Sequence, residues 1–196
     1  MKTIIILILS LLPLVGLSQD TSIVSYFNEI TSGSEYGFSK NKMKFEKDVY
    51  IIIQGNCDEE LRLETIKVID ELNELITSIN FYITDDIGIA NVRLYFGSPS
   101  EYVKINPFCV NLIDRSWGLA FMFPKYNQID MSLAFVDTER TSNNSQRKHI
   151  LREEITQSLG FGNDSYRYPE SIFYQGWTEV HEYSDIDKEV IKMFYN

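Results

Sequence analysis

The sequence has little positive charge, and this shortage argues against one class of function. Lysine and arginine together number 18, against 28 aspartates and glutamates, which gives a formal net charge of −10 at pH 7. The longest basic run is the pair Arg147-Lys148. Proteins that bind nucleic acids cluster basic residues against the phosphate backbone. The composition therefore argues against nucleic acid as a partner.

Cysteine is also scarce. The chain has two cysteines, Cys57 and Cys109, and no CxxC spacing of the kind that builds structural zinc sites. In an oxidising compartment the two thiols either form one disulfide or stay free. The sequence leaves both outcomes open.

Several catalytic signatures are missing. The sequence contains no GxSxG elbow, no phosphate-binding glycine loop and no recognisable cysteine–histidine arrangement. Glu153 and Glu154 are neighbours, so on a helix their side chains point about 100° apart. That geometry does not favour the paired carboxylates of a glycosidase.

Residues 1–18 have the pattern of a secretory signal peptide. Lys2 precedes an apolar run from Ile4 to Leu17, and small residues lie near the expected cleavage point after Ser18. The run is too short for a membrane span, and no cysteine is present there to carry a lipid anchor. We therefore expect a single secreted or periplasmic domain over residues 19–196, without a stable membrane span. A retained N-terminal anchor is the alternative.

Alternating strand and helix patterns predict an α/β (α+β) domain. The predicted strands are Asp48–Gln54, Phe81–Ile83, Asn91–Gly97, Gly118–Phe123 and Ile129–Val136. The predicted helices are a short one within Ser22–Tyr36, a long one from Asp58-Glu59 to about Asn80, one over Ser145–Leu159 capped by Gly160 or Gly162, and a last one that starts at Ser184 with Asp187 in a capping box. This order indicates a twisted mixed sheet backed by a long helix.

The segment REEITQSLGFGN, from Arg152 to Asn163, carries the strongest functional pattern. Residues four apart share one face of a helix, so Glu153 and Gln157 project to the same side, with Glu154 beside them. Gly160 then ends the predicted helix, and Asn163 follows three residues later. The spacing places several polar side chains around one turn.

This spacing resembles the HExxHxxGxxH motif of the metzincin peptidases. The resemblance places the metal-ligand positions on Glu153, Gln157 and Asn163, the general base on Glu154 and the helix-ending glycine on Gly160. Downstream, SIFYQ (171–175) is similar to the region of the methionine turn, with isoleucine in place of methionine, and the final segment resembles the closing helix of that fold. The resemblance implies a zincin/metzincin-like single domain and a zinc ion.

A second resemblance covers essentially the whole mature chain. EEITQSLGFGNDS (153–165) and SIF (171–173), together with AFVDTER (134–140) and FNEITSGSEYG (27–37), are similar to secreted bacterial proteins that carry the domain of unknown function 2927. That family implies the same metzincin-like fold and leaves the activity open.

The ligand positions depart from the peptidase pattern in chemically important ways. Zinc prefers imidazole and thiolate ligands, whereas Gln157 and Asn163 offer neutral amide oxygens. Asp164 supplies a second carboxylate if the third position slips by one residue. An all-oxygen set suits calcium or magnesium, held weakly. Without a strongly bound ion, Glu154 alone does not supply peptide hydrolysis, so the sequence leaves open one divalent metal or none.

Two functions of different classes follow from these residues. The first is a secreted metallopeptidase-like enzyme, with Glu154 as base and Glu153, Gln157 and Asn163 or Asp164 at the metal. Its substrate would be an extended peptide beside the strand Gly118–Phe123. The second is a non-catalytic protein whose cleft binds peptide or glycan, or which has a structural role in the cell envelope. The amides at two ligand positions favour the second function, and the sequence does not specify an oligomeric state.

The same residues also have an interpretation without function. Glu153, Glu154 and Gln157 are then solvated helix residues, with His149 and Glu153 as a surface pair. His149 and His181 are then packing or surface residues, not additional ligands. The aromatic residues near the motif either line a groove or pack in the core, and they are Trp117, Tyr166, Tyr168, Tyr174 and Trp177.

Overall fold

A five-stranded mixed sheet lies at the centre of the fold. The computed structural model describes residues 21–33, 41–140 and 143–196, so the predicted signal peptide lies outside the described residues. The strand order is β2-β1-β3-β5-β4, and every neighbouring pair is parallel except β5 and β4, which are antiparallel. The strands are β1 (Val49–Gly55), β2 (Phe81–Ile83), β3 (Val92–Gly97), β4 (Gly118–Lys125) and β5 (Gln128–Asp137).

Five α-helices pack around this sheet. They are α1 (Thr21–Thr31), α2 (Glu59–Leu75), α3 (Pro99–Ile105), α4 (Asn144–Gln157) and α5 (Asp185–Tyr195). Within the described ranges, no helix has the length and apolar character needed to cross a membrane. The predicted α/β class, with a mixed sheet, a long helix and a C-terminal helix, is confirmed.

The sheet divides the core into two layers because side chains alternate between its faces. In β5, Ala134 and Val136 belong to the larger layer, which contains α1, α2, α4 and α5, whereas Leu133 and Phe135 belong to the smaller layer under α3. β1 is an almost continuous apolar run, in which Val49, Ile51 and Ile52 are buried.

The two cysteines lie in different layers of the core. Cys57 packs against the larger layer, and Cys109 is buried in the smaller one. Both are free thiols, so of the two outcomes that the sequence left open, the structure shows the unpaired one.

Two helices depart clearly from the sequence prediction. α2 ends at Leu75, not near Asn80, because Asn73 donates to and accepts from the backbone of Phe81 and so draws β2 back against the helix. α3 was not predicted from the sequence, although Ser98 and Glu101 form a complete capping box at its start.

The start of α5 is fixed by a group that we call the buried knot, formed by Tyr26, Ser171 and Asp187. Ser184 and Asp187 form the expected capping box, which is confirmed. Asp187 also accepts from the Ser171 hydroxyl at 2.5 Å, and Ser171 in turn lies 2.7 Å from the hydroxyl of Tyr26. Burial raises the pKa of Asp187, and hydrogen bonds from Ser171 and Ser184 oppose that shift. The knot therefore ties α1, the 171–173 segment and α5 together.

Candidate functional site

α4 belongs to the larger layer, and from His149 to Gln157 every residue of the helix except Glu153 is buried. Asn143 caps its start by accepting from the backbone of Ser145 and Gln146. Gly160 follows its end with φ +120°, and a Cβ there would lie 2.2 Å from the Met43 carbonyl oxygen. Only glycine fits both conditions. Of the two predicted caps, the structure selects Gly160.

The charged residue that opens the motif, Arg152, is completely buried. Its guanidinium donates to Glu64 at 3.0 Å and to Glu71, both on α2. The ring of Tyr183 lies 4.5 Å from its Cζ atom. Arg152 therefore joins α4 to α2. The interpretation of Glu153, Glu154 and Gln157 as solvated helix residues is wrong for Glu154 and Gln157, which are also buried.

The opposite side of α4 forms the floor of a cleft of about 260 Å³. One wall is the segment Arg115–Leu119, at the start of β4, and the other is the segment Tyr174–Thr178. The floor residues are Gln146, His149, Ile150, Glu153, Glu154 and Gln157, with Asp164 at one end.

The structure brings together four of the five predicted site residues. Glu153, Glu154, Gln157 and Asp164 all line the cleft. Asn163 is placed elsewhere, because its amide donates to the carbonyl oxygens of Glu29 at 3.2 Å and of Ser32 at 3.1 Å. Asn163 thus holds α1 against the motif and does not line the cleft.

Gln157 and Asp164 are joined directly. The Gln157 amide donates to the Asp164 carboxylate at 2.6 Å, and the Gln157 side chain is buried. This bond engages Gln157, which the metzincin resemblance places at the metal, and Asp164, the alternative to Asn163 at the third ligand position.

His149 is held by the backbone of the neighbouring wall. Its Nδ1 lies 2.5 Å from the carbonyl oxygen of Val180, so Nδ1 carries the hydrogen and donates it. The Nε2 atom lies 3.5 Å from the Glu153 carboxylate. Burial lowers the pKa of His149, although the bond to Val180 opposes the shift. The neutral imidazole therefore ties the segment that follows the second wall to α4.

Glu154 lies directly against β4. The side chain is buried, and a Cβ at Gly118 would lie 2.3 Å from its Oε1 atom and 2.6 Å from its Cγ atom. Glycine at this position is what allows α4 to approach the strand. No role was predicted for Gly118 from the sequence. A glycine in a strand nevertheless often marks a place where another element packs closely against the strand backbone.

The aromatic residues near the motif divide into two groups. Trp117, Tyr174 and Trp177 line the cleft, and the indoles of Trp117 and Trp177 meet edge to face at 5.3 Å. The other two do not line it: Tyr168 packs on Tyr26 at 4.7 Å, toward the core, and Tyr166 is exposed outside the cleft. The predicted aromatic groove therefore consists of the first group.

The residues of the cleft do not fit the zinc site of a metzincin. Across residues 21–33, 41–140 and 143–196, no three or more His, Cys, Asp or Glu side chains are arranged to hold a metal ion. Gln157 and Asp164 bond to each other, Asn163 bonds to α1, and the Nδ1 atom of His149 bonds to a backbone carbonyl. These four side chains are thus engaged with other groups of the protein.

The arrangement of the sheet, α4 and α5 defines a zincin-like fold. The structure is similar to the "Crystal structure of myroilysin", with a TM-score of 0.50 and 10% identity over 86% of this chain and 92% of that chain. A second structure, "Structure of myroilysin", has a TM-score of 0.48 and 10% identity over 78% of this chain and 95% of that one. At such low identity the likeness shows the fold alone.

The chain belongs to the family described as "Protein of unknown function (DUF2927)", whose model matches residues 20–196. The family resemblance drawn from the motifs is thereby confirmed. No curated protein sequence matches the chain.

Proposed function

We propose that this protein is an exported, non-catalytic member of the zincin-like fold that binds an extended peptide in the cleft. The observation that carries the proposal is the position of β4. It lies at the end of the sheet order, and its first residues, Gly118 and Leu119, form a wall of the cleft. A peptide lying in the cleft therefore runs beside a strand edge to which no other described strand is paired.

The backbone groups of β4 are suitably aligned for such pairing. Asp137 donates its backbone N–H to the carbonyl oxygen of Trp117 at 2.9 Å. Because the direction of backbone groups alternates along an antiparallel strand, Leu119 and Phe121 also face β5. The N–H and C=O groups of Gly118, Ala120 and Met122 consequently face outward, where an added strand would bond to them.

The chemistry of the floor supports binding without hydrolysis. Peptide hydrolysis by a zincin needs an ion whose charge makes a bound water reactive. The groups at the corresponding positions, Gln157 and Asp164, are held in a mutual hydrogen bond, and an amide is a weak ligand for zinc. Glu154 then serves as a polar group on the floor of the peptide site.

The proposal is tested with an immobilised library of random decapeptides. We expect selected peptides to bind, and N-methylation of alternate amides to abolish binding, whereas methylation of the intervening amides leaves it intact. Ala120→Pro removes an outward N–H and should weaken binding without unfolding the edge strand. Tyr126→Ala, at an exposed residue of the β4–β5 turn outside the cleft, is the matched control. Library binding that is insensitive to Ala120→Pro and to N-methylation would overturn the proposal.

A peptidase is the second candidate, and the placement of Glu154 in the cleft of a zincin-like fold favours it. The same library is incubated with the protein and zinc, and the products are analysed by mass spectrometry. We expect no cleavage above that of Glu154→Gln. Metal-dependent cleavage that this variant loses would establish the peptidase and refute the non-catalytic function.

A further inference from the structure

The mouth of the cleft is formed by the two tryptophans of the chain. Trp117 comes from the wall before β4, and Trp177 comes from the opposite wall. Their rings meet at 5.3 Å and 64°, yet they remain 36% and 60% exposed, respectively. Large exposed rings that meet across a cavity offer an apolar, electron-rich surface to a ligand. We call this pair the indole clamp.

Trp117 is held in place by residues of the AFVDTER segment, to which the proposed function assigns no role. The carboxylate of Asp137 is completely buried and accepts from the backbone and the guanidinium of Arg140. Arg140 also donates to the carbonyl oxygens of Ile113, Asp114 and Ser116. These hydrogen bonds hold the segment from Ile113 to Ser116, which leads into Trp117. Trp117 is therefore held in position before any ligand binds.

The protein already places a cation on this clamp. The Cζ atom of Arg140 lies 5.6 Å from the centre of the Trp117 ring, which is a cation–π distance. The same cleft is lined by three acidic residues, Glu153, Glu154 and Asp164, and by a single lysine or arginine among the described residues, Arg115. A cationic side chain with an apolar stem complements both kinds of group. Its charge is attracted to the indole rings and to the carboxylates, and its stem packs on the rings.

We propose that the cleft selects peptides that carry a lysine or arginine side chain, which packs against the exposed surfaces of Trp117 and Trp177 with its charged end toward Glu153. The proposal rests on the proposed function, because this side chain belongs to the peptide paired with β4. The net charge of −10 also attracts cationic peptides at long range. Arg140 is a positioning residue, since it acts through Trp117.

The test uses the intrinsic fluorescence of the full chain, because both tryptophans lie in the cleft. The probes are Ac-Ala-Ala-Lys-Ala-Ala-NH2 and its counterparts with norleucine or glutamate at the centre. Norleucine keeps the apolar stem and lacks the charge. We expect the lysine peptide to bind roughly tenfold more tightly than the norleucine peptide, and the glutamate peptide to bind more weakly than either. The preference for lysine should shrink as salt is added.

Three variants separate recognition from folding. Trp177→Phe and Glu153→Gln should each reduce the preference for lysine over norleucine several-fold, with unchanged circular dichroism. Arg140→Gln should weaken lysine binding and alter Trp117 emission in the free protein. Arg62→Gln, at an exposed residue of α2 outside the cleft, is the control and should alter neither.

The outcomes distinguish the two proposals. Equal binding of the lysine, norleucine and glutamate peptides would overturn the cationic preference and leave the peptide cleft standing. The preference is also overturned if library peptides bind at the cleft while lysine adds nothing to their affinity. Failure of every peptide, including the random library, would overturn the proposed function itself.

Discussion

The burial of Arg152 leads to a sharp prediction about stability. The guanidinium is 0% exposed, and its partners Glu64 and Glu71 have side chains that are 8% and 29% exposed. Burial works against the charge of Arg152, but the hydrogen bonds that it donates to Glu71 and Glu64, together with the charge of Glu71, outweigh that effect and raise its pKa. Arg152→Met keeps much of the side-chain volume and removes the charge. The buried Glu64 carboxylate is then left without its cation.

The expected cost follows from this geometry. Removing one partner of a buried ion pair costs about 3–5 kcal/mol, out of a total stability of about 5–15 kcal/mol for a domain. Most of this cost comes from Glu64, because the more exposed Glu71 can turn toward water. For a chain of this length, the loss corresponds to a fall in Tm of roughly 6–20 °C.

Urea denaturation followed by far-UV circular dichroism measures the effect. We expect Arg152→Met to lower the midpoint without changing the slope. Adding Glu64→Leu to Arg152→Met should restore much of the loss, since the orphaned carboxylate is gone. The reasoning is refuted if Arg152→Met costs less than about 1 kcal/mol, the size of an exposed pair, or if the second substitution makes the protein less stable still.

Three further predictions concern the cleft and the buried knot. Since burial lowers the pKa of His149, its contribution to stability is present above the unfolded value near 6.5 and is lost as pH falls through the lower folded value. His149→Asn should therefore flatten the decline in Tm between pH 7.5 and 5, whereas a similar flattening in His181→Asn would contradict this assignment. Gly118→Ala should push Glu154 from β4 and weaken peptide binding at least several-fold; full binding, with Glu154 undisplaced in a crystal structure, would count against it. Ser171→Ala leaves a buried tyrosine hydroxyl and a buried carboxylate without their shared partner, so we expect a loss of about 2–4 kcal/mol in urea unfolding, and a loss under 1 kcal/mol would show that the knot contributes little.

Local patterns in the sequence predicted the parts of the site that depend on short-range geometry. Helical spacing placed Glu153, Glu154 and Gln157 near one another, and Gly160 ended the helix because only glycine tolerates the conformation and the close approach there. The capping box at α5 was readable for the same reason, since its two residues are three positions apart.

Features that depend on distant segments were not readable in this way. Asn163 bonds to α1, more than a hundred residues earlier in the chain, and no pattern within the motif announces that partner. Arg152 is buried because α2 supplies carboxylates, whereas a charged residue in a polar helical stretch is normally read as exposed. Arg140, which is bonded to Asp137, likewise donates to the backbone of a loop at Asp114, 26 residues earlier in the chain.

One measurement tests the central claim most directly: calorimetric titration of a library-selected peptide into the protein, with and without a strong chelator. We expect the same affinity and one peptide per chain in both conditions, with the peptide recovered intact. If the chelator abolishes binding, the cleft depends on a metal. If the peptide is recovered cleaved, the cleft is catalytic. Either result would contradict the account of a non-catalytic peptide site.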